Sequence, residues 1–307
     1  MPTEETVVRL ENVSKTIGGA EIIRNLSFSV KRGEIYGFLG PNGSGKTTTI
    51  RMMVGLISMT KGTITIAGHD IRKERGKAMA HVGAIVENPE LYGYMSGRKN
   101  LLHFARMSPT PVSAERMAEV VRLVDLEHAI DKKVRTYSLG MKQRLGIAQA
   151  LLHHPSILIL DEPTNGLDPA GIRQLRDYLR LLARTERLAI IVSSHLLSEI
   201  ELMCDRVLII QEGRLVDERL VHPGGESEDR RLPVRFEVSD GARAAVLLQA
   251  FAGVLIEGNQ VTVELGREEI PELVTVLTEG GLRLYQIRTL APSLEDTFLE
   301  LTKGGGV

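Results

Sequence analysis

The chain alternates short apolar runs with helical segments and Gly-rich turns. Runs typical of strands occur at residues 7–10, 26–30, 34–39, 64–66, 157–160, 189–193 and 207–210. In the middle of the chain, apolar residues recur at helical spacing, which predicts a helical block at 97–152. A shorter helix is predicted at about 47–56, directly after a Gly-rich loop. Strands that alternate with helices in this way indicate an α/β fold.

A polar, Gly-containing segment divides the chain at 222–232, which we predict to be a linker. The order beyond it is strand, helix, strand, strand, helix and strand, at 234–238, 242–251, 254–257, 261–265, 270–280 and 283–287. This β-α-β-β-α-β order suggests a small α+β, ferredoxin-like module. The first predicted domain covers 1–221 and has a helical subdomain at about 90–152. An accessory domain is predicted at 233–302, closed by a helix that Ser293 caps. A disordered tail is predicted at 303–307.

Charge and cysteine content narrow the possible functions. Of 307 residues, 38 are Lys or Arg and 39 are Asp or Glu, so the chain has no general attraction for nucleic acid. The single cysteine, Cys204, excludes an internal disulfide and fits a reducing compartment. The chain shows neither a secretory leader nor an apolar run of about 18 residues that would span a membrane. We therefore expect a cytoplasmic protein that works at a membrane only through a partner.

A phosphate-binding loop is the strongest motif. Residues 40–48 read GPNGSGKTT and match G-x-x-x-x-G-K-[ST] between a strand and a helix, the context that the motif requires and that a chance Gly-rich turn would lack. Glycines let the backbone amides of residues 43–48 approach an anion, and the helix dipole adds attraction. Lys46 should reach the β- and γ-phosphates, and Thr47 should ligate Mg²⁺. The predicted residues are Gly40, Asn42, Gly43, Ser44, Gly45, Lys46, Thr47 and Thr48.

Two adjacent carboxylates follow the apolar run at 157–160. Such a run is typical of a strand buried on both faces, and ligands bind at the carboxyl ends of strands in open α/β sheets. Asp161 is predicted to hold Mg²⁺, and Glu162 to take the proton of the attacking water. The alternative is a strand end that merely faces solvent, which the phosphate loop in the same chain disfavours.

Three further segments give the chain a family resemblance. They are YSLGMKQR at 137–144, NGLD at 165–168, and His195 at the end of an apolar run. With the phosphate loop and the acidic pair, residues 5 to about 220 resemble the nucleotide-binding subunits of ABC transporters. The resemblance implies ATP and Mg²⁺ as ligands, an ABC-type P-loop fold, and a head-to-tail homodimer.

The resemblance also implies roles for individual residues. The stretch 138–142 stands at the family's signature motif, so Ser138 and the amide of Gly140 would cap the γ-phosphate bound by the partner domain. Asp168 would form the loop between the two sites. His195 would contact the γ-phosphate and orient the attacking water, although a lone histidine after a strand is more often structural.

The chain departs from the family pattern at three places. Ile17 stands near the position of an aromatic residue that stacks on adenine, and Tyr36 is the alternative aromatic contact. Glu87 replaces the usual Gln that links Mg²⁺ to the membrane subunit, and a carboxylate still suits a hard cation. Leu139 and Met141 replace a Gly and a Gln of the signature. We expect an active site whose nucleotide affinity is altered.

Within the family, the chain looks most like ATPases of bacitracin-type and related peptide-antibiotic exporters. The supporting stretches are 86–92, 137–144 and 293–298. Such an ATPase would lie at the inner face of the cell membrane and contact a separate membrane subunit through the segment from Glu87 to Met95. Two alternatives stay open: a soluble ATPase switch of the same fold that acts on ribosomes or DNA, and a GTPase, although the chain lacks an Asn-Lys-x-Asp motif.

Overall fold

The computed structural model describes residues 5–108, 110–221, 231–249, 253–266 and 268–290. The chain divides into two compact units, Met1–His222 and Pro223–Val307. Residues 222–230 of the predicted linker, the predicted closing helix with Ser293, and the predicted tail lie outside the described residues.

The strands of the first unit form two sheets. They are β1 Thr6–Ile17, β2 Ala20–Lys31, β3 Ile35–Leu39, β4 Lys61–Ile66, β5 His69–Asp70, β6 Val82–Ile85, β7 Ile157–Leu160, β8 Ala189–Ser194, β9 Arg206–Gln211 and β10 Arg214–Leu220. A six-stranded sheet has the order β10-β9-β3-β8-β7-β6 and is parallel except for β10. A four-stranded antiparallel sheet has the order β2-β1-β4-β5.

The helices of this unit confirm the predicted α/β class. They are α1 Lys46–Met53, α2 Arg75–Met79, α3 Gly97–Met107, α4 Ala114–Leu123, α5 Leu139–Leu151, α6 Pro169–Thr185 and α7 Leu197–Met203, with a short 3-10 helix at Val134–Thr136. The predicted helical block is therefore three α-helices and one 3-10 turn. The helix after the phosphate loop ends at Met53 rather than near Leu56, because the chain turns at Gly55, whose φ is 69°.

The core of this unit lies between the two sheets and against α1. Side chains from β1 and β2 meet Phe38 of β3 and Ile159 of β7, and Ile50 of α1 joins the same cluster. All residues of β3 and β7 are buried, which explains their unbroken apolar sequences. This packing fixes the start of α1 beside the carboxyl ends of the central strands.

The described residues of the second unit form a four-stranded antiparallel sheet and two helices. Its elements are β11 Leu232–Val238, α8 Gly241–Leu247, β12 Leu255–Glu257, β13 Gln260–Leu265, α9 Glu269–Glu279 and β14 Leu284–Thr289. The sheet order is β12-β13-β11-β14, and Phe236 and Val263 pack with Leu273 and Leu277 of α9 in a separate core. The predicted β-α-β-β-α-β order is confirmed.

Candidate functional site

The phosphate loop connects β3 to α1 through a backbone that requires glycine. Gly45 precedes α1 with φ 110°, and a Cβ there would lie 2.4 Å from Ile23 Cδ1. A Cβ on Gly40 would lie 2.4 Å from the Ile210 carbonyl oxygen. α1 has no side-chain cap at its N-terminus, so its first-turn amides have no partner within the helix and are free to bind an anion.

Lys46 lies at the centre of this loop. Its side chain is 5% exposed, and its Nζ donates to the Gly40 carbonyl at 2.6 Å and the Pro41 carbonyl at 3.3 Å. The same Nζ lies 3.3 Å from Glu162 Oε1. A buried ammonium held by the loop's own carbonyls is therefore positioned beside the acidic strand end.

The two strand-end carboxylates face different partners. Asp161 is buried, and its Oδ1 accepts a hydrogen bond from Ser193 Oγ at 2.6 Å. Ser193 Oγ in turn accepts from the Glu162 amide at 2.8 Å. The Glu162 backbone has φ 50°, and its Oε2 lies 2.7 Å from His195 Nδ1. The Asp161 carboxylate therefore points into the fold, whereas the Glu162 carboxylate faces an open site.

A cavity of about 260 Å³ joins these groups. Its lining consists of Asn42, Gly43, Gly45, Lys46, Thr47, Thr48, Glu162, Asn165 and His195. The buried Ser44 Oγ has no hydrogen-bond partner among the described residues. An amide-rich loop, a buried Lys, a helix N-terminus and carboxylates on one cavity form an arrangement that suits a triphosphate.

Other predicted site residues lie outside this cavity. Ser138 Oγ accepts from the Met141 amide at 3.2 Å and caps α5, and Asp168 Oδ1 accepts from the Gly171 amide at 2.8 Å and caps α6. Ile17 is 51% exposed at the end of β1. The signature and the loop at Asp168 are neighbours, since a Cβ on Gly166 would lie 2.9 Å from Leu139 Cδ2.

The alternative adenine contact, Tyr36, is wrong. Its side chain is fully buried, and its hydroxyl donates to Glu218 Oε1 at 2.8 Å. Burial raises the pKa of Tyr36, with Glu218 acting in the same direction, so the hydroxyl keeps its proton. Tyr36 therefore packs in the core and cannot reach a base.

The sequence did not single out Asn165 and Ser193 as site residues. Asn165 lines the cavity, and Ser193 links the Asp161 carboxylate to the Glu162 amide. A signal for Ser193 was present, because it lies at the carboxyl end of β8, whose parallel neighbour β7 ends at Leu160, directly before Asp161.

None of the described helices has the length and apolar content that a membrane-spanning helix needs.

Comparison with known proteins identifies the family. The family model described as ABC transporter matches residues 23–165. The ABC transporter ATP-binding protein YhcH of Bacillus subtilis is 53% identical over 97% of this chain and 96% of its own length. The bacitracin transport ATP-binding protein BcrA of Bacillus licheniformis is 41% identical over 98% of this chain and 99% of its own length.

A solved structure agrees with these relatives. The structure of cbiO1 from Clostridium perfringens, part of the ABC transporter complex cbiONQ, matches with a TM-score of 0.66 and 28% identity. The match covers 71% of this chain and 90% of that chain. The resemblance predicted from the motifs is confirmed: the chain belongs to the ATP-binding, ATP-hydrolysing subunits of ABC transporters.

Proposed function

We propose that this chain is the homodimeric ATPase of an exporter that removes a peptide antibiotic or similar drug through a separate membrane subunit. The observation that supports this cargo class is the similarity to the bacitracin transport ATP-binding protein BcrA, which extends over 98% of the chain and includes the second unit. ATP-binding subunits of this family pair with membrane subunits and dimerise. The working location is then the cytoplasmic face of the cell membrane, with no nucleic acid as partner.

The geometry supports a general-base mechanism. Glu162 Oε2 is hydrogen-bonded to His195 Nδ1, which holds the carboxylate in the wall of the cavity, where it can accept a proton from a water that attacks the γ-phosphate. Glu162 accepts the proton of that water. Lys46 Nζ, 3.3 Å from the same carboxylate, balances the charge of the transferred phosphoryl group. His195 orients the water and the base.

The residues present also suit Mg²⁺. Thr47 lines the cavity, and Asp161 lies at the adjacent strand end. The described residues contain no cluster of three or more His, Cys, Asp or Glu side chains that would hold a metal ion alone, which fits a cation bound largely through substrate phosphates. Thr47, Asp161 and Glu87 would hold Mg²⁺, which neutralises charge on the phosphates when bound.

The signature residues of one chain act on the nucleotide that a second copy of the chain binds. Ser138 is exposed at the N-terminus of α5, an end that suits an anion. In the proposed head-to-tail dimer, Ser138 and the amide of Gly140 cap the γ-phosphate held by the partner's phosphate loop. Asp168 completes the loop between the two sites.

The surface for the membrane subunit is the segment from Glu87 to Met95. Buried Asn100 fixes this segment, because its Oδ1 accepts from the Tyr92 amide at 2.8 Å and its Nδ2 donates to the Tyr92 carbonyl at 3.1 Å. Tyr94 is 69% exposed beside Tyr92. A rigid loop that presents aromatic rings suits a protein partner.

Recovery of the partner tests the proposal. Tagged chain extracted from membranes of the native host should retain one multi-spanning protein, and Tyr94→Asp should lower its yield. Tyr285→Asp is the matched control, since Tyr285 is 60% exposed on the second unit. Cells with the complex should survive a peptide antibiotic that kills cells carrying Glu162→Gln. Recovery of ribosomes or DNA without a membrane protein would refute this function.

A further inference from the structure

Glu87 is held by an arginine of the phosphate-loop helix. Arg51 Nη2 donates to Glu87 Oε1 at 2.5 Å. Arg51 lies one helical turn after Thr47 on α1, and residues four apart on a helix lie on the same face. Thr47 lines the nucleotide cavity, so Arg51 ties the Glu87 carboxylate to the helix that forms part of the cavity wall.

The backbone at Glu87 is also constrained. Its φ is 70°, in the left-handed region that is costly for a residue with a side chain. Two residues later the segment packs on the signature helix, because a Cβ on Gly146 of α5 would lie 2.5 Å from Pro89 Cβ. A change in the partner of Glu87 would therefore act on a strained segment that contacts α5 directly.

The ion pair is weak enough to be exchanged. Both side chains are largely exposed, at 44% for Arg51 and 61% for Glu87, and exposed ion pairs are readily broken. When no cation is bound, the triphosphate repels a carboxylate that approaches it. A bound divalent cation attracts both the triphosphate and the carboxylate. Arg51 and a nucleotide-bound cation are thus competing partners for one carboxylate.

We propose that Arg51 is a positioning residue that restrains Glu87 until Mg²⁺–nucleotide enters the site, when the carboxylate exchanges Arg51 for the metal. The proposal rests on the proposed role of Glu87 as a metal ligand. It explains why a Glu is tolerated beside a triphosphate: Arg51 neutralises its charge until the metal arrives. Because Pro89 packs on α5, the exchange would change the contact between this segment and α5 when the metal binds.

Binding of a non-hydrolysable ATP analogue to the full chain, measured by calorimetry in excess Mg²⁺ and in EDTA, tests the exchange. Arg51→Gln should tighten binding in Mg²⁺ by about threefold, because the competitor is gone. The same variant should weaken binding in EDTA by about threefold, because Glu87 then repels the triphosphate. A general loss of positive charge would weaken binding in both conditions.

Three further variants complete the test. In a Glu87→Gln background, Arg51→Gln should change affinity equally in the two conditions. Arg51→Lys should behave like the wild type. Arg98→Gln is the matched control, since Arg98 makes a similarly exposed ion pair with Asp131, and it should change neither affinity.

The outcomes separate the proposed exchange from the proposed nucleotide site. Arg51→Gln effects of the same sign in Mg²⁺ and EDTA, no effect at all, or opposite effects that persist with Glu87→Gln would overturn the exchange. Should Arg51→Gln fail to fold, Arg51→Met, which also removes the guanidinium, takes its place with the same expected signs. A wild-type chain that does not bind the analogue would instead refute the proposed nucleotide site.

Discussion

At the scale of single residues, Glu162 is held at its amide and at both carboxylate oxygens. One carboxylate oxygen faces Lys46 Nζ at 3.3 Å and the other faces His195 Nδ1 at 2.7 Å. Its amide is tied to Ser193, so backbone and side chain are both fixed. Such fixation favours a catalytic role, because a general base works only when its geometry is maintained.

Glu162→Gln should lower the rate of ATP hydrolysis by at least about 10²-fold, because an amide keeps the shape but cannot accept a proton. Nucleotide binding should persist, and an ATP-bound dimer should accumulate, visible by gel filtration. Glu257→Gln, an exposed residue of the second unit, is the control and should hydrolyse ATP normally. Turnover near the wild-type rate in Glu162→Gln would remove this residue from the mechanism.

Base selectivity should be loose. Ile17 offers only apolar contact, and Tyr36 is buried away from the site, so no base–aromatic stacking of roughly 1–3 kcal/mol is expected from either. We expect kcat/KM for GTP within about tenfold of that for ATP, a difference of about 1.4 kcal/mol. Ile17→Tyr should tighten ATP binding, with Leu56→Tyr as a control at another exposed position. A preference for ATP of about a hundredfold would contradict an unselective pocket.

The site predictions that rest on continuous motifs needed only the local sequence pattern. Lys46 and Thr47 follow the loop pattern, and Asp161 and Glu162 follow a buried strand, so local pattern suffices. Arg51 was not singled out, because its significance depends on Glu87, 36 residues further along the chain. Contacts between distant segments leave no periodic signal.

At the scale of elements, β1 shows where the hydrophobic pattern fails to predict the full length of a strand. The prediction covered 7–10, yet the strand runs from Thr6 to Ile17. Asn12 has φ 50°, and the register with β2 shifts between Leu10 and Val13, so strict alternation stops there although the ladder continues. β10 was missed for another reason, since its residues include no buried side chain.

Arg206 joins four strands by its side chain. It donates to both oxygens of Glu34, to Glu218 Oε1 and to the Ser29 carbonyl, and lies 4.8 Å from the Tyr36 ring centre. The Arg206 and Glu34 side chains are only 18% and 12% exposed. Removal of the guanidinium would leave Glu34 without its ion-pair partner in a mostly buried place.

Arg206→Met should therefore destabilise the first unit by about 3 kcal/mol, because a largely buried carboxylate loses its partner. Urea unfolding followed by circular dichroism measures the change. Lys77→Met, which removes an exposed ion pair with Glu74, should leave the midpoint almost unchanged. Equal midpoints for Arg206→Met and the wild type would mean that the network contributes no net stability.

At the scale of the whole molecule, each unit has its own core. One cluster contains Phe38 and Ile159, and the other contains Phe236 and Leu273. Every residue that lines the nucleotide cavity belongs to the first unit. The sequence places a polar, Gly-containing segment at 222–232 between two patterned regions, and the chain divides between His222 and Pro223. The role of the second unit has no such signal, since it carries no catalytic motif.

Removal of residues 223–307 should leave a folded domain that binds and hydrolyses ATP. The buried cluster of the first unit is built entirely from its own strands and helices, so its stability needs no side chain from the second unit. The truncated chain should unfold cooperatively, and its ATPase rate per site should lie within about tenfold of the full chain, because the Glu162 and His195 geometry is retained. Truncated protein carrying Glu162→Gln supplies the background rate.

Loss of folding would show that the second unit completes the first. A well-folded truncated chain that binds ATP but no longer dimerises or hydrolyses it would instead assign the second unit to dimer assembly.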